Sequence, residues 1–237
     1  LCIWSRGEEM VTEHFPELGQ LAGCLPDGTV LAGEILPYQD RPLGFSVLQT
    51  RLGRRSVTAK LLREAPVVFV AYDLLEWEGR DIRERPLRER RKLLSRAFGA
   101  QPCRPGAPLL LLSEALSVED WQQVTELRET AREQFAEGVM LKRLDAPYAV
   151  GRPKGIWWKW KVDPLSVDAV LVYAQPGRGR RSGLFTDYTF ASWKNGELTP
   201  FAKAYSGLND REIRQVDAFV KANTLEKKGP VRIVAPK

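Results

Sequence analysis

The residues best suited to chemistry are two lysines that alternate with tryptophans in the run Trp158-Lys159-Trp160-Lys161. Side chains two residues apart on a β-strand point to the same face, so Lys159 and Lys161 would form a cationic front and the tryptophans an apolar back. Two ammonium groups on one face can bind a phosphate and neutralise charge during phosphoryl transfer. Solvated surface lysines are the alternative, but the flanking tryptophans favour a phosphate site.

Two carboxylates stand next to glycines and to residues that favour strands. Glu137 precedes Gly138 and the predicted strand Val139–Arg143, and a carboxylate beside a phosphate is a ligand that Mg²⁺ accepts. Glu34 lies in the predicted strand Val30–Leu36, where it could accept hydrogen bonds from ribose hydroxyls or lie near a metal ion. For either carboxylate taken alone, simple exposure to solvent is the competing interpretation.

Three further side chains could contact a nucleotide. Tyr72 ends the apolar run that begins at Val67, and its ring could stack on a base, although a core tyrosine is the alternative for an isolated residue. Lys142 lies on the strand after Glu137, with a facing that alternation alone leaves open. Arg6 could contact a phosphate or pair with a neighbouring glutamate.

Composition excludes several classes of protein. The chain has 237 residues, of which 43% are apolar and 28% charged, as is typical of a globular protein with a substantial core. It has no apolar run near the ~20 residues of a membrane span and no signal peptide. Three scattered cysteines and one histidine offer no zinc spacing and indicate a reducing compartment. The net charge of +6 has the sign expected of a nucleic-acid binder.

The elements that must position these residues are read from periodicity and turn signals. Helices are predicted from Glu13 to Gly19 or Gly23, Pro86–Phe98, Ser117–Phe135 and Asn209–Asn223, and a surface loop over Gly99–Pro108. Strands without strict alternation with helices indicate an α+β chain, with a boundary at Asp163-Pro164. The predicted strands are Val30–Leu36, Val67–Leu75, Val139–Arg143, Ile156–Val162, Val167–Ala174 and Leu184–Trp193, with strand-like runs at both ends of the chain, from Leu1 and from Val231.

A basic turn follows the boundary. The run from Gly177 to Gly183 contains Arg178, Arg180 and Arg181 and no acidic residue. Such a turn could bind DNA phosphates in a salt-dependent way that is blind to sequence. The other basic cluster, Arg83–Lys92, is mixed with acidic residues and is predicted to be a solvated helix face.

Four motifs together resemble a known family. In order along the chain they are Gly33-Glu34, Tyr72-Asp73-Leu74-Leu75, Glu137–Lys142 and Trp158–Lys161, and they resemble the core of bacterial ATP-dependent DNA ligases. The resemblance extends to connecting segments such as Trp4–Glu8 and covers essentially the whole chain. It implies a nucleotidyltransferase (adenylation, ATP-grasp-like) domain of the DNA ligase and mRNA-capping superfamily over residues 1–163, and a partial OB-fold β-barrel over 164–237.

The resemblance also implies roles for single residues. Lys159, Lys161 and Glu137 would be the catalytic groups that this chain retains, and the turn arginines would face the DNA backbone. Glu137 and Glu34 would be the metal ligands. The nucleotide contacts would come from Arg6, Glu34, Tyr72, Lys142, Lys159 and Lys161.

The family reaction uses ATP and Mg²⁺. A lysine attacks the α-phosphate of ATP, AMP moves to the 5′-phosphate of a nick, and the 3′-hydroxyl then displaces AMP. The resemblance therefore implies nicked duplex DNA as the partner of a monomeric, cytoplasmic protein that acts at the nucleoid. DNA repair, recombination and replication are all open as its setting, and no membrane contact is expected.

The family's nucleophile motif, Lys-x-Asp-Gly, does not occur in these residues. The nearest string is Leu25-Pro26-Asp27-Gly28. We expect an internal fragment whose nucleophile lies before Leu1 and whose last barrel motif lies after Lys237, so that the fragment itself should not self-adenylate. An RNA ligase or capping-type nucleotidyltransferase is the alternative within the superfamily. A non-catalytic nucleic-acid-binding remnant is the alternative outside it.

Overall fold

The computed structural model describes residues 1–54, 56–98, 109–151 and 153–236. Contacts within the chain divide it into two units, Leu1–Asp163 and Pro164–Lys237. The predicted surface loop Gly99–Pro108 lies outside the described residues. In the described part of the chain, no helix is both long and apolar enough to span a bilayer.

The described residues of the first unit form two sheets. A two-stranded antiparallel ribbon is formed by β6 (Gly138–Lys142) and β7 (Trp157–Lys161). The larger sheet has the order β2-β1-β3-β4, with β5 parallel to β3 and the other pairs antiparallel. Its strands are β1 (Val30–Gln39), β2 (Arg41–Pro42), β3 (Val67–Trp77), β4 (Arg80–Asp81) and β5 (Leu110–Leu112).

Short helices cover this sheet. The core joins buried residues of β3, such as Ala71 and Leu74, to Leu18, Leu48 and Leu94 from the helices. Two 3₁₀ helices, Thr12–His14 and Pro16–Gly23, stand in place of the first predicted helix. The α-helices are α1 (Phe45–Leu52), α2 (Ala59–Glu64), α3 (Leu87–Phe98) and α4 (Trp121–Glu129), and a 3₁₀ helix, Thr130–Gln134, follows α4.

Two glycines allow close backbone packing next to the predicted motifs. At Gly33, beside a bulge in β1, a Cβ would lie 2.4 Å from the Phe69 ring. Gly138 has φ +139°, and a Cβ there would lie 2.2 Å from the Trp160 carbonyl oxygen of the paired strand. Both positions therefore require glycine on steric grounds.

The second unit is an antiparallel sheet of five strands in the order β10-β9-β8-β12-β11. Helix α5 (Asp210–Ala222) begins at a capping box in which Asn209 and Glu212 exchange hydrogen bonds, as predicted. A 3₁₀ turn, Gly179–Arg181, lies between β8 and β9. The strands are β8 (Val170–Pro176), β9 (Phe185–Lys194), β10 (Glu197–Ala204), β11 (Thr224–Lys228) and β12 (Val231–Val234).

All six predicted strands are present, and the α+β class is confirmed. The predicted helix over Ser117–Phe135 was too long, because Asp120, not Ser117, caps α4 by accepting from the Gln123 N–H. The strand-like run at Val231 is a strand, but the run at Leu1 forms only a single bridge between Trp4 and Met10. No prediction was made for helices α1 and α2 or for strands β2, β4, β5, β10 and β11.

Candidate functional site

One face of the β6–β7 ribbon gathers the predicted lysines. Lys159 Nζ lies 2.8 Å and Lys161 Nζ 3.0 Å from the same carboxylate oxygen, Oε2 of Glu137. Strand alternation explains why both ammonium groups reach it, and the Val162 N–H also donates to the Glu137 carbonyl at 2.9 Å. All three side chains remain substantially exposed. The result is a charged cluster open to a ligand.

The Glu137 carboxylate is anionic at neutral pH. Hydrogen bonds from Lys159 and Lys161, together with their positive charge, lower its pKa from 4.5 to about 2. A carboxylate that stays ionised can hold a cation, while the lysines can bind phosphate oxygens.

The apolar back of β7 is only partly covered. Trp160 packs edge-on against Trp121 of α4 with ring centroids 6.3 Å apart, and the Arg128 guanidinium lies 5.3 Å from its ring centroid. Trp158, which should share that back, is 48% exposed. The prediction of a strand with two different faces is therefore correct for the lysine face. On the other face Trp160 is packed, but Trp158 is not buried as an apolar back would require.

An aromatic pocket surrounds Lys142, across the ribbon from Trp157. Its Nζ lies 4.1 Å from the ring centroid of Tyr72 and 4.2 Å from that of Trp157, distances typical of cation–π contacts. Trp157 also packs edge-on against Tyr72 at 6.1 Å and Tyr148 at 5.7 Å. Stacking of a base on Tyr72 therefore requires the ring face that Lys142 leaves uncovered, or displacement of the ammonium.

Trp157 was not among the predicted site residues. It stands two positions before Lys159, so strand alternation places it on the lysine face. The prediction began the motif at Trp158 and so omitted this ring. The same periodicity that paired the lysines could have identified it.

Burial shifts the ionisation of the pocket. Desolvation lowers the pKa of Lys142 from 10.5 to about 8, opposed by the charges of Asp73 and Glu34. Desolvation also raises the pKa of Tyr72 to about 12, with Glu34 raising it further and Arg6 lowering it. Glu34 and Arg6 thus act electrostatically on the tyrosine that the sequence analysis grouped with them.

A buried ion pair lies next to Tyr72 in the sequence, because Asp73 of β3 pairs with Arg90 of α3. Arg90 and Asp73 are both fully buried, and Arg90 Nε and Nη2 each donate to one carboxylate oxygen at 2.9 Å. Arg91 Nη1 donates to the Tyr72 carbonyl at 3.2 Å. The prediction of a solvated face over Arg83–Lys92 was wrong for these two residues, because Arg90 lies between Leu87 and Leu94 on the buried side of α3.

The arginines predicted to contact DNA lie in the second unit. Arg178 and Arg180 are exposed at the 3₁₀ turn. Arg181 is half-buried, and its Nη2 pairs with Asp210 Oδ1 at 2.7 Å. Among the ion pairs of the described residues, Arg181 is paired with Asp210 and neither Arg178 nor Arg180 has a carboxylate partner.

The carboxylates of the first unit do not form a complete set of metal ligands among the described residues. Among the described residues, no group of three or more His, Cys, Asp or Glu side chains could hold a metal ion. Glu137 interacts with the lysine pair, whereas the charge of Glu34 acts on Tyr72 and Lys142. Any divalent ion here would depend on oxygen ligands from a bound phosphate and water.

The first unit thus places a cationic ribbon beside a cluster of aromatic rings in an α+β frame, and comparison with known proteins identifies its family. The family model described as "ATP dependent DNA ligase domain" matches residues 1–161. The chain belongs to the ATP-dependent DNA ligase family.

Relatives in two bacteria are similar over nearly the whole chain. A "Probable DNA ligase" of Koribacter versatilis (strain Ellin345) is 36% identical over 99% of this chain and 44% of its own length. A "Probable DNA ligase" of Opitutus terrae is 36% identical over 99% of this chain and 26% of its own length. The chain thus spans less than half the length of these relatives.

Solved structures agree on the fold. A mycobacterial DNA ligase D complexed with ATP and MES is 25% identical, with a TM-score of 0.55, and the match covers 99% of this chain and 73% of that one. A Lig E DNA ligase is 18% identical, with a TM-score of 0.61, over 90% of this chain and 73% of that one. The fold is that of a ligase nucleotidyltransferase domain followed by OB-like strands.

Proposed function

We propose that this chain carries the nucleotide pocket and nick-sealing site of an enzyme that joins 3′-hydroxyl and 5′-phosphate ends in duplex DNA. The observation that carries the proposal is the shared face of the β6–β7 ribbon, where the Trp157 ring continues into the exposed Lys159–Lys161 pair. An adenine base and its phosphate need an apolar and a cationic subsite side by side, and this face supplies both. In this proposal Leu1–Asp163 is the adenylation domain.

The base would lie at the aromatic end of the face. Tyr72 and Trp157 offer π-surfaces, and Lys142 and Arg6 offer positive charge beside them. Glu34, an acceptor near Tyr72, is suited to a ribose hydroxyl. These side chains fit AMP as part of ATP or of a DNA-adenylate.

The phosphate would lie at the charged end. Lys159 and Lys161 would exchange part of their pairing with Glu137 for phosphate oxygens, which releases the carboxylate for a cation. Glu137, ionised at neutral pH, would then hold Mg²⁺ together with those oxygens. The bound ion would supply charge neutralisation for phosphoryl transfer.

Sealing is the step that these residues can support. The 3′-hydroxyl oxygen bonds to the 5′-phosphorus of the DNA-adenylate, the bond to AMP breaks, and the hydroxyl proton is lost to solvent. Lys159 and Lys161 would stabilise the negative charge that develops on the phosphate and the departing AMP. Because no Lys-x-Asp-Gly motif occurs in these residues, we expect no lysyl-AMP on this chain.

The second unit would hold the duplex. We propose that Pro164–Lys237 acts as the OB-fold domain and that Arg178 and Arg180 contact the DNA backbone, with Arg181 contributing less because of Asp210. The proposed enzyme works as a monomer on nicked DNA, in the cytoplasm at the nucleoid.

The test uses this chain, Mg²⁺ and a nicked duplex that already carries AMP on its 5′-phosphate. We expect sealing by the parent chain and its loss in Glu137→Ala. Glu133→Ala, an exposed glutamate four residues earlier, is the matched control and should seal like the parent. A nicked RNA duplex with the same adenylate should be sealed poorly.

Two outcomes would contradict the proposal. Equal sealing by Glu137→Ala and the parent would remove the charged cluster from the chemistry. Binding of the nick by the parent without any sealing would favour the non-catalytic nucleic-acid-binding remnant.

A further inference from the structure

Helix α3 directs two neighbouring arginines toward the strand that carries Tyr72. Arg90 is fully buried and Arg91 is half-buried, whereas Arg88 and Arg96 of the same helix are exposed. Burying a guanidinium is costly unless its donors are satisfied, so these two side chains need a structural reason. Their hydrogen bonds supply it.

Arg90 joins three separate segments. Its Nε and Nη2 bind both oxygens of Asp73 on β3, and its Nη1 donates to the carbonyls of Arg85 and, at 3.3 Å, of Ala146. Asp73 in turn accepts from the Leu74 N–H at 2.9 Å. Arg90 therefore links β3, through Asp73, to the segment that follows β6, through Ala146.

Arg91 extends the same attachment. Its Nη1 donates to the Tyr72 carbonyl at 3.2 Å, and its Nη2 donates to the Ser113 carbonyl just after β5. The backbone of Tyr72 is thus held to α3 on one side and, through Ser113, to the neighbouring strand. A shift of Arg91 would be transmitted directly to the tyrosine.

The segment after β6 is also attached by its backbone to the first residue of α3 and to the residues just before that helix. The Leu87 N–H donates to the Ala146 carbonyl at 2.9 Å, and the Tyr148 N–H donates to the Arg83 carbonyl at 2.8 Å. The Tyr148 ring packs against Trp157 at 5.7 Å. Helix α3 therefore contacts both the Tyr72 side and the Trp157 side of the pocket.

We propose that Arg90 and Arg91 are positioning residues that set the spacing between Tyr72 and Trp157, and through it the fit of the pocket to a nucleotide base. The proposal deepens the proposed function and rests on it. Neither arginine is assigned contact with the nucleotide. Arg91 is the more useful residue to change, because it is only half-buried and its loss leaves the Arg90–Asp73 pair intact.

The test compares Arg91→Met with Arg96→Met, an exposed arginine on the same helix, in the full chain. The first readout is the dissociation constant for ATP. The second is the NMR signal of the Lys142 Cε protons, which two aromatic rings about 4 Å from Nζ should move strongly upfield. Arg91→Lys, which retains one donor group, is the conservative variant.

We expect Arg91→Met to weaken ATP binding about tenfold, in line with the loss of hydrogen bonds from a charged group, and to reduce the upfield shift of Lys142. Arg91→Lys should lie between the parent and Arg91→Met, and Arg96→Met should match the parent. An unchanged Lys142 signal in Arg91→Met would overturn the proposal, as would unchanged ATP binding in a parent that binds ATP.

Failure of the proposed function gives a different pattern. If the parent does not bind ATP, the nucleotide assignment fails, and a retained Lys142 signal in Arg91→Met would refute the positioning role as well. If both Arg91 variants fail to fold, the arginine serves folding alone, and that result also overturns the proposal.

Discussion

The two units of the molecule distribute charge differently. In Leu1–Asp163, Arg51 and Arg90 are fully buried and each forms a two-point ion pair with a carboxylate. In the described residues of Pro164–Lys237, no arginine is buried. That second segment nevertheless carries twelve of the 36 basic residues and only seven of the 30 acidic ones, so it supplies five of the six net positive charges.

This difference separates two uses of the same side chain. A buried, paired guanidinium fixes backbone segments at a defined distance, which suits a pocket that must fit one ligand. Exposed guanidinium groups create a positive surface that attracts a polyanion without defining a shape. The first unit therefore has the features of a specific site, and the second has those of a positively charged surface without a defined shape.

The largest effect should come from breaking the buried pair. Arg90→Met leaves Asp73 buried without its partner, which we expect to cost about 3–5 kcal/mol of unfolding free energy. Asp217→Asn in the second unit keeps an acceptor for the Phe185 N–H and loses only the pair with exposed Lys221, so it should cost less than about 1 kcal/mol. Denaturant unfolding of both variants measures the contrast. Equal losses would remove the distinction between the units.

Two glycines with positive φ allow a second contrast. Gly138→Ala should cost about 2–5 kcal/mol, because a Cβ would overlap the Trp160 carbonyl at 2.2 Å in addition to the strained φ. Gly196→Ala, where φ is +83° and no atom lies within 4 Å, should cost about 1–2 kcal/mol. Thermal unfolding gives both values. A smaller loss at Gly138 would show that the ribbon backbone is free to shift.

The half-buried Lys142 should make stability depend on pH. Its folded pKa of about 8 lies below the 10.5 of an exposed lysine, so between these values the unfolded chain binds more protons than the folded one. The free energy of unfolding should therefore rise with pH from about 8 towards 10.5, and a Lys142→Met variant should lack that rise. The free energy of unfolding should be measured from pH 7 to 9.5, below the ordinary tyrosine pKa of 10.0, so that ionisation of tyrosines adds little to the slope. Identical slopes in the two proteins would contradict burial of the charge.

The smallest effect should be seen in DNA binding by the second unit. If Arg178 and Arg180 contact the DNA backbone as proposed, Arg178→Ala and Arg180→Ala should each reduce the salt slope of nicked-duplex binding by about 1, since each would remove one phosphate contact. Arg181→Ala should change the slope less, since Asp210 already pairs with it. Fluorescence anisotropy at several salt concentrations tests the order. An effect of Arg181→Ala as large as that of its neighbours would show that the ion pair opens on DNA.

Sequence patterns correctly predicted the features that depend on residues close together in the chain. The apolar run ending at Tyr72 predicted β3, and the alternation of Lys159 and Lys161 predicted their common face. The capping residues Asn209 and Glu212 predicted the start of α5. Each of these features depends on neighbours a few residues away, so the sequence contains the signal directly.

Features that depend on distant partners were missed. Arg90 resembled a solvated residue because Asp73 and Ala146, which satisfy it, are far away in sequence. The contact between Trp157 and Lys142 was missed because it depends on the register of β6 against β7. Strand β10, with Pro200 and alternating polar residues, exists through pairing with β9. Long-range pairing decided all three.

The most direct test of the central claim is an AMP titration of the full chain, followed through the NMR signals of the tryptophan indole N–H groups. If the lysine face of the β6–β7 ribbon forms the nucleotide pocket, the Trp157 signal should shift and saturate with AMP. Trp193 of the second unit should not move. A saturating shift at Trp193 with none at Trp157, or no shift at either ring, would contradict the account.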